Sequence, residues 1–341
     1  MTRYLMRPSR LTDFGALMEL AENSGTGFTS LPVNEELLRS KLEKSIEAFS
    51  GKTSEPDYGK YLMMMEDTRT GEVVGCSAVK CGVGVEAPFF NYRIITVAQA
   101  SHAAGKRFDM DALILTNEFV GYTEVGTLFL KAEHRGGGAG RLAAQSRYLL
   151  MATAPERFGE RVLAELRGVT DQNGNTPFWN CLGAHFFRMS FPEADYLSAV
   201  SDNQFILDLM PKYPIYIDLI PEEGRQAIGR CHSEGVGAKK LLEWEGFRFE
   251  RTVDIFDGGP LVAADTGNIR TINESSLVQV EAGSPDGSVT GLIASTHTKD
   301  FTCMQLLGQM QNGNKLVIDA DQLEIMGLKG GDMARIWIRT P

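Results

Sequence analysis

The segment that most constrains this chain covers residues 126–150, GTLFLKAEHRGGGAGRLAAQSRYLL. Its pattern predicts a buried strand at 127–130, a glycine-rich turn at 135–140, and a helix whose apolar face carries Leu142, Ala143, Tyr148 and Leu149. Such a turn leaves backbone N–H groups free at a helix N-terminus, where the helix dipole favours negative charge. The segment therefore predicts a binding site for a pyrophosphate group.

Other interpretations of this turn have to be weighed. A P-loop is excluded, because Arg141 and Leu142 follow Gly140 where that motif needs Lys and then Ser or Thr. A dinucleotide-binding turn stays open, since residues 138–143 fit Gly-x-Gly-x-x-Ala. Against it, Glu165 lies beyond the usual spacing of about 20 residues for a ribose-binding acid. A plain strand–turn–helix corner also stays open, although three consecutive glycines cost chain entropy.

The pattern Arg-x-x-Gly-x-Gly within residues 135–140 resembles the coenzyme-A signature of the GCN5-related N-acyltransferases. In that interpretation the backbone N–H groups of the turn hold the pyrophosphate, and Arg135 or Arg141 adds positive charge. The strand at 126–130 would pair through its backbone with the pantetheine arm. The residues assigned to CoA binding are Leu128, Leu130, Arg135, Gly136, Gly138, Gly140 and Arg141.

Composition bounds the class of protein. The 341 residues carry 34 basic and 44 acidic side chains, a formal net charge of −10, which argues against a nucleic-acid binder. The five cysteines are scattered without a CxxC pair, so we expect reduced thiols, no metal site and a cytoplasmic protein. We also expect no signal peptide and no membrane span, because no apolar stretch approaches the roughly 20 residues required.

The elements before and after the turn follow from periodicity. A short strand is predicted at 4–8, helices at 11–21 and 34–49, paired strands at 61–66 and 73–83, and a further strand at 162–166. After residue 259, short apolar runs alternate with Gly, Asp and Asn turns, which is typical of a small β-rich domain and allows a barrel.

Two later segments resemble each other. Residues 177–187 and 239–249 each predict a short helix, a glycine and an aromatic-rich strand. This favours a duplicated architecture with a degenerate second copy, although helix–glycine corners are common by chance. The predicted division is an N-acyltransferase-like domain with the CoA site at 1–198, a second, degenerate unit at 199–262, and a β-rich domain at 263–341.

Several longer motifs resemble the arginine N-succinyltransferase family over most of the chain. They are TGFTSLPVNEELL (26–38), FFNYR (89–93), TLFL (127–130), LAELRGVTD (163–171), PFW (177–179), ADYL (194–197), LMPKYPIY (209–216) and EGFRFERTVDIFDGGP (245–260). The resemblance implies an α/β (α+β) fold of the GCN5-related N-acyltransferase type. It also implies transfer of succinyl from succinyl-CoA to the α-amine of L-arginine, the first step of arginine catabolism, with no permanently bound cofactor.

The same resemblance implies roles for two residues. Leu128 matches a succinyl-CoA-binding position, and His232 in AIGRCHSEG matches a proton donor. After His232 the sequence departs from the family, which often has a stretch containing Pro and Thr where this chain has residues 233–237, SEGVG. Some family members act on ornithine or occur as paired related subunits. A homo- or hetero-oligomer, another acyl-CoA-dependent N-acyltransferase, and a non-catalytic partner subunit therefore stay open.

The reaction sets chemical requirements that a few side chains could meet. An α-amine with a pKa of roughly 8 must lose a proton before it attacks, and the departing thiolate must gain one. His232 titrates near about 6.5 and suits either transfer, whereas the alternative is an exposed loop histidine. Glu165 is a second candidate for the general base. Alternatively, Glu165 serves only as a structural partner of Arg167.

Substrate recognition requires charges of both signs. The succinyl carboxylate calls for an arginine or a pair of hydroxyls, for which the candidates are Arg93, Arg167, Thr29 and Ser30. The guanidinium of the acceptor calls for carboxylates, and Asp254 and Asp257 are candidates. The alternative for each of these residues is an ordinary surface or turn position.

Overall fold

The computed structural model describes residues 3–25, 28, 30–51, 59–171, 174–201, 203–311 and 314–339. Its strands, in chain order, are β1 (Tyr4–Pro8), β2 (Lys60–Asp67), β3 (Glu72–Lys80), β4 (Asn91–Ser101), β5 (Lys106–Thr116), β6 (Thr123–Leu130), β7 (Arg161–Glu165), β8 (Ile215–Tyr216), β9 (Arg248–Asp254), β10 (Pro260–Asp265), β11 (Ser276–Ala282), β12 (Val289–Ser295), β13 (Cys303–Gln311), β14 (Lys315–Ile318) and β15 (Met333–Ile338).

The helices in chain order are α1 (Phe14–Ser24), α2 (Glu35–Ser50), α3 (Ala139–Thr153), α4 (Ala184–Phe187), α5 (Phe191–Val200), α6 (Gln204–Leu209), α7 (Glu222–Ala227), α8 (Val236–Glu245), α9 (Arg270–Glu274) and α10 (Ala320–Met326). Helices and strands occur together throughout the described chain. The predicted α/β class, with a β-rich C-terminal part, is confirmed.

One continuous mixed sheet organises the described chain. Its strand order is β12-β15-β11-β14-β13-β1-β2-β3-β6-β7-β10-β9-β4-β5-β8. Neighbours are antiparallel except at two pairs, β6 with β7 and β11 with β14, which are parallel. The parallel pair β6–β7 is joined by α3, as a crossover connection requires. The glycine-rich turn therefore lies between a central strand and the helix that crosses to its parallel neighbour.

The two N-terminal helices form close to where periodicity predicts them, although α1 begins at Phe14, after a 3-10 turn at 11–13. Asn34 caps α2 by accepting a hydrogen bond from the backbone N–H of Leu37 at 3.0 Å, and Gly51 ends the helix in the left-handed region. The buried side chains of α2 include Leu38 and Leu42, one turn apart on the face that packs against β2. This packing places α2 alongside the central strands and along one wall of the cleft described below.

A buried ion pair fixes the start of the chain. The Arg7 guanidinium donates two hydrogen bonds to the Asp13 carboxylate, at 2.8 and 2.9 Å, and a third to Glu66 at 2.6 Å. Asp13 also accepts the backbone N–H of Arg10. Such bidentate pairs are geometrically specific, so the ion pair orients α1 relative to β1 and β2.

The segment at 177–187 differs from its prediction. A π-helical turn, Trp179–Gly183, runs directly into α4, so the predicted aromatic strand is wrong. Trp179 is buried and packs against the rings of Phe187 and Phe256, with centroids 5.1 and 5.6 Å away. These aromatic side chains fill a core between the helices and strands β4, β5 and β9, and this burial outweighs their strand propensity.

The segment at 239–249 forms the predicted units and joins the same sheet. Helix α8 ends at Gly246 in the left-handed region, and β9 and β10 follow as an antiparallel pair. Strand β10 then pairs antiparallel with β7. The division at 1–198, 199–262 and 263–341, and the duplication behind it, stay predictions.

A long hairpin occupies a stretch for which the sequence pattern supplies no prediction. Strands β4 and β5 pair over eleven positions, from Asn91 opposite Thr116 to Ser101 opposite Lys106. Side chains in the outer half of β4 are mostly exposed, so no alternation of apolar residues marks it. The hairpin extends the sheet at the end where β8 forms the edge.

The five C-terminal strands close into a ring. Each of β12, β15, β11, β14 and β13 pairs with the next, and β13 also pairs with β12. Strand β13 joins the ring to the main sheet through β1, with Leu5 opposite Met304 and Met6 opposite Cys303. In addition, the Gln305 side-chain amide donates to the backbone carbonyl of Gly137 at 2.8 Å. The ring therefore touches the glycine-rich turn.

A tight corner connects β7 to the turn between β9 and β10. A Cβ on Gly259 would lie 2.1 Å from the carbonyl oxygen of Leu166 and 2.7 Å from the backbone nitrogen of Gly168. Both contacts are with backbone, which cannot move aside cheaply. Only glycine fits at this crossing, and the crossing fixes the position of Arg167 relative to β9 and β10.

We expect Gly259→Ala to lower the free energy of unfolding by about 2–3 kcal/mol, because the added methyl group forces the two backbone segments apart. Chemical denaturation measures this change. Gly267→Ala is the matched control, since a Cβ there meets nothing within 4 Å. Equal denaturation midpoints for the two variants would contradict the packing argument.

Candidate active site

The site begins where two parallel strands separate. Strands β6 and β7 pair only at their first residues, Thr123 with Val162 and Glu124 with Leu163. Beyond these pairs the strands diverge, so residues 126–130 have an edge that no strand of the described chain covers on this side. The gap opens between the end of β6, which leads into the glycine-rich turn, and the end of β7, which carries Glu165.

A bulge interrupts β6 at the gap. Between the pairs Cys76–Phe129 and Ala78–Gly126, two residues of β6, Thr127 and Leu128, lie opposite one residue of β3. Thr127 has a φ of 50°, which is uncommon for a β-branched residue. Bulges of this kind re-aim side chains and release backbone groups from the ladder. The predicted strand is therefore present, with a local kink at the cleft.

The glycine-rich turn has the conformation that only glycine adopts readily. Gly136, Gly137 and Gly138 have φ values of 111°, 55° and 86°, and α3 begins directly afterwards at Ala139. The N-terminus of a 15-residue helix therefore lies at the turn, with the N–H groups of its first turn lacking partners inside the helix. This geometry suits an anionic group such as a pyrophosphate.

The turn and the gap open into one large cleft of about 870 Å³. Five of the seven residues predicted to bind CoA line it: Leu128, Leu130, Arg135, Gly136 and Gly140. Gly138 lies instead against Gln305, whose amide nitrogen would be 2.4 Å from an added Cβ. Arg141 is not among the lining residues, and its guanidinium lies over the ring of Trp244 at 4.9 Å.

A cluster of carboxylates also lines the cleft. It comprises Glu124, Glu165, Asp195, Asp254 and Asp257. Burial and the charges of Asp254, Glu124 and Asp257 raise the pKa of Glu165 well above its ordinary value. Burial, with a contribution from Asp257, raises the pKa of Asp195 to about 6. The cluster favours either a bound proton or a cationic ligand.

Two of these carboxylates are committed to backbone groups. Asp254 accepts the N–H groups of Phe256 and Asp257, both at 2.7 Å, and so forms the turn after β9. Asp257 accepts the N–H groups of Gly168 and Gly259 at 2.6 and 2.7 Å. Burial and the neighbouring Asp254 nonetheless raise the pKa of Asp257. Both residues hold the corner between β7 and β10 and also contribute negative charge to the cleft.

Glu165 differs from these two carboxylates. Its Oε1 is buried and has no hydrogen-bond partner among the described residues. No hydrogen bond or ion pair joins Glu165 to Arg167 in the described part of the chain, whereas Arg167 donates to His232 Nδ1 and to the Glu234 carboxylate. A buried carboxylate oxygen without a partner costs stability, and such groups cluster at functional sites.

His232 is not among the residues that line the cleft, but it contacts Arg167 and Glu234, which do line it. Its backbone N–H donates to the carbonyl oxygen of Arg167 at 2.8 Å. The Nδ1 atom accepts a hydrogen bond from Arg167 Nη2 at 2.7 Å and one from the backbone N–H of Glu234 at 3.2 Å. A guanidinium can only donate, so the neutral ring carries its proton on Nε2. Burial and the Arg167 charge lower the pKa of His232.

The predicted ligands of a succinyl carboxylate are separated in the fold. Arg167 and Ser30 line the cleft, whereas Arg93 does not and instead bonds Glu118 at 3.2 Å on the hairpin side of the sheet. Thr29 lies outside the described residues.

Sequence reasoning missed several polar residues of the cleft, among them Lys41 and Asp195. Lys41 carried a weak signal: it lies three residues after Leu38 on α2 and so falls beside the apolar face of the helix. Asp195 carried a different signal, its place within the family motif ADYL (194–197), which does not say that the side chain lines the cleft. In the described part of the chain, no group of three or more His, Cys, Asp or Glu side chains is arranged to hold a metal ion.

Fold and cleft together define an acyltransferase, and comparisons with known proteins identify its family. A family model described as arginine N-succinyltransferase beta subunit matches residues 4–271. Arginine N-succinyltransferases from Salmonella newport (strain SL254) and Salmonella typhimurium (strain LT2) are each 39% identical over 334 residues, covering 97% of this chain and 96% of theirs. The chain belongs to the arginine N-succinyltransferase family.

A solved structure extends this similarity to three dimensions. The arginine/ornithine succinyltransferase subunit AI from Pseudomonas aeruginosa superposes with a TM-score of 0.91 and 30% sequence identity, covering 99% of each chain. The C-terminal ring and the hairpin β4–β5 are thus included in the similarity. Separately, none of the helices formed by the described residues has the length and apolar character needed to span a membrane.

We expect Glu165→Gln to stabilise the fold increasingly as the pH rises. The pKa of Glu165 is raised in the folded state, so the folded state binds the proton more tightly than the unfolded state does. Below the unfolded pKa of about 4.3 the side chain is protonated in both states, and the folded state carries no penalty for a buried charge. The stability that the bound proton supplies is lost as the pH rises through the folded pKa. Glutamine avoids the loss, so the melting temperature of the variant should match wild type near pH 4 and exceed it by about 2–4 °C at pH 8.

The control for this experiment is Glu43→Gln, on the exposed side of α2. Its melting temperature should follow wild type at every pH. A Glu165→Gln profile parallel to wild type across the range would show that the carboxylate is not held in a raised-pKa environment.

Proposed function

We propose that this protein transfers the succinyl group of succinyl-CoA to the α-amine of L-arginine, giving CoA and N2-succinyl-L-arginine. The observation that carries the proposal is the position of Glu165, whose unpartnered carboxylate oxygen lies in the same cleft as the glycine-rich turn. One side of the cleft thus suits an acyl-CoA, and the other suits an amine that must lose a proton. The relatives are described as arginine N-succinyltransferases and as an arginine/ornithine succinyltransferase subunit, which supports this choice of acyl group and acceptor.

Succinyl-CoA would enter through the gap between β6 and β7. Its pyrophosphate would rest on the backbone N–H groups at Gly136 and the start of α3, and Arg135 lies beside them. Its pantetheine arm would follow the open edge of residues 126–130. The bulge at Thr127 and Leu128 would place released backbone N–H groups near the thioester carbonyl, where they can stabilise negative charge on its oxygen.

L-Arginine would occupy the acidic side. It carries an α-ammonium and a guanidinium, and the carboxylates of Asp195, Asp254 and Asp257 supply negative charge near Glu165. Bound cations would lower the raised pKa values of this cluster by favouring the ionised carboxylates. The electrostatic cost of assembling the cluster is therefore recovered when the substrate binds.

Glu165 would act as the general base. Its raised pKa brings it closer to that of the ammonium it must deprotonate, which favours proton transfer. The free amine then attacks the thioester carbon, a C–N bond forms, and the C–S bond breaks. The ammonium releases two protons in all: one passes through Glu165 to solvent, and the other ends on the sulfur of CoA.

His232 would deliver the proton to the departing thiolate, as the family resemblance implies. Its lowered pKa makes the imidazolium a stronger acid, although less of it is present at neutral pH. In the neutral ring Nδ1 accepts from Arg167 and the Glu234 N–H, so the ring proton lies on Nε2. Formation of the imidazolium protonates Nδ1 and gives up these two bonds, and Nε2 remains the nitrogen that can face the thiolate. The second proton of the amine then replaces the one that His232 gives to the sulfur.

Finer points of the proposal concern partners and compartment. The Pseudomonas aeruginosa subunit is described as an arginine/ornithine succinyltransferase subunit, so ornithine is the second acceptor to test, and assembly with a related subunit is part of the proposal. We also propose a cytoplasmic location, since all five cysteines are free thiols.

The proposal predicts CoA thiol release when succinyl-CoA and L-arginine are combined, with a kcat on the order of 1–10³ s⁻¹. Acetyl-CoA and ornithine are the comparison substrates, and Glu165→Gln should lower kcat by about 10²–10⁴-fold. Background release with every pair would favour a non-catalytic partner subunit. A higher kcat/KM for ornithine or for acetyl-CoA would replace the proposed substrates.

The role of His232 is tested with two variants. We expect His232→Ala to lower kcat by about 10²–10⁴-fold at saturating substrates. His232→Gln keeps an oxygen that can accept from Arg167 but cannot transfer a proton, so it should be equally impaired. Wild-type kcat in His232→Gln would reassign the residue to positioning Arg167, and wild-type kcat in both variants would remove it from the mechanism.

A further inference from the structure

Three of the basic side chains that line the cleft have acidic partners. Lys60 bonds Glu86, Lys80 lies 3.7 Å from Glu124, and Arg167 bonds Glu234 at 2.9 Å. Arg135 donates to the carbonyl oxygen of Leu130 and is largely exposed. Lys44 and Arg147 also line the cleft without an ion pair among the described residues, but Lys44 is exposed and Arg147 donates to the Ala144 carbonyl of its own helix. Lys41 differs from both because it contacts the bulge of β6.

Lys41 projects from α2 toward the bulge of β6. Its Nζ donates to the carbonyl oxygen of Ser30 at 2.5 Å and to Thr127 Oγ1 at 3.4 Å, both of which are neutral. No ion pair joins Lys41 to any carboxylate among the described residues. A half-buried ammonium whose partners are all neutral is costly, which favours an anionic ligand beside it.

The electrostatic surroundings agree with this geometry. Burial lowers the pKa of Lys41 to about 8, and the nearest groups that oppose the shift are Cys76 and Glu124. Burial also raises the pKa of the Cys76 thiol to about 12, so that thiol is neutral at ordinary pH. A bound carboxylate would restore the pKa of Lys41 toward its usual value and hold it as a cation.

The position of Lys41 matches the length of a succinyl group. The bulge at Thr127 lies where the thioester carbonyl would bind in the proposed function, and the Lys41 ammonium contacts the Thr127 hydroxyl. The thioester carbon and the carboxylate carbon of succinyl are separated by three C–C bonds, roughly 4 Å when extended. The free carboxylate can therefore reach Lys41 while the thioester stays at the bulge.

We propose that Lys41 binds the free carboxylate of the acyl group and is the residue that selects succinyl over acetyl. The inference rests on the proposed function and adds a specificity determinant to it. A carboxylate at Lys41 forms a charge-assisted hydrogen bond in a partly desolvated site. Acetyl-CoA leaves the ammonium unpaired, and a site built around a polar group discriminates strongly against analogues that lack it.

The test compares acyl donors across variants, with L-arginine as acceptor and thiol release as the readout. We expect Lys41→Met to lower kcat/KM for succinyl-CoA by about 10²–10³-fold and to leave the lower value for acetyl-CoA within about threefold of wild type. Lys41→Gln, which can still donate to Ser30 and Thr127, should behave like Lys41→Met. Lys240→Met, an exposed position on α8, is the matched control and should keep the wild-type ratio of the two donors.

The outcomes separate this inference from the function on which it rests. If wild type prefers succinyl-CoA and both Lys41 variants keep that preference, the role of Lys41 is overturned while the function stands. If wild type releases no thiol, the proposed function fails, and calorimetry still tests Lys41 by comparing succinyl-CoA with acetyl-CoA. If wild type binds succinyl-CoA more tightly than acetyl-CoA and Lys41→Gln binds the two equally, the inference is supported. If wild type itself binds the two donors equally, the inference is overturned.

Discussion

The separation of β6 from β7 after two paired residues is the constraint on which the site depends. Parallel neighbours joined by a helix would ordinarily pair along their length, which would satisfy every backbone group between them. Here the bulge at Thr127 and the divergence of the strands leave the end of β6 facing a cleft. The glycine-rich turn follows directly, so the open strand edge and the N-terminus of α3 face the same space. A thioester with a long polar arm and a pyrophosphate requires both.

The cleft also holds charges that are unfavourable when it is empty. The carboxylates around Glu165 repel each other. Backbone N–H groups hold Asp254 and Asp257 in place at the corner between β7 and β10. At this corner Gly259 leaves no room for a side chain. Across the cleft, Lys41 lies among neutral partners. These arrangements cost folding stability, and the rest of the core has to offset that cost. A cationic substrate group beside the carboxylates and an anionic one beside Lys41 would remove both of these unfavourable arrangements.

The C-terminal ring carries no motif, yet it contributes to the site through packing. Strand β13 extends the main sheet beyond β1, and Gln305 bonds the carbonyl oxygen of Gly137 in the glycine-rich turn. The indole of Trp337, in β15, also packs edge-on against the indole of Trp244, and the Arg141 guanidinium lies over the indole of Trp244. A turn of three glycines has little stiffness of its own. The C-terminal ring of strands, residues 276–338, therefore supplies restraint that the turn lacks, and this gives the ring a structural reason to accompany the acyltransferase fold.

The sequence by itself determined the local features: the glycine-rich turn, the helix α2, the paired strands β2 and β3, and the family motifs. Turn chemistry and periodicity act over a few residues, so these features can be predicted from the sequence alone. Prediction from the sequence was wrong where contacts between distant residues determine the secondary structure. At 177–187, burial of Trp179 favours helix in place of the predicted strand. Only the tertiary structure brought Lys41 to Thr127, 86 residues away, and Arg167 to His232, 65 residues away. Periodicity carries no information about such pairs, since each arises from the way sheet and helices pack together.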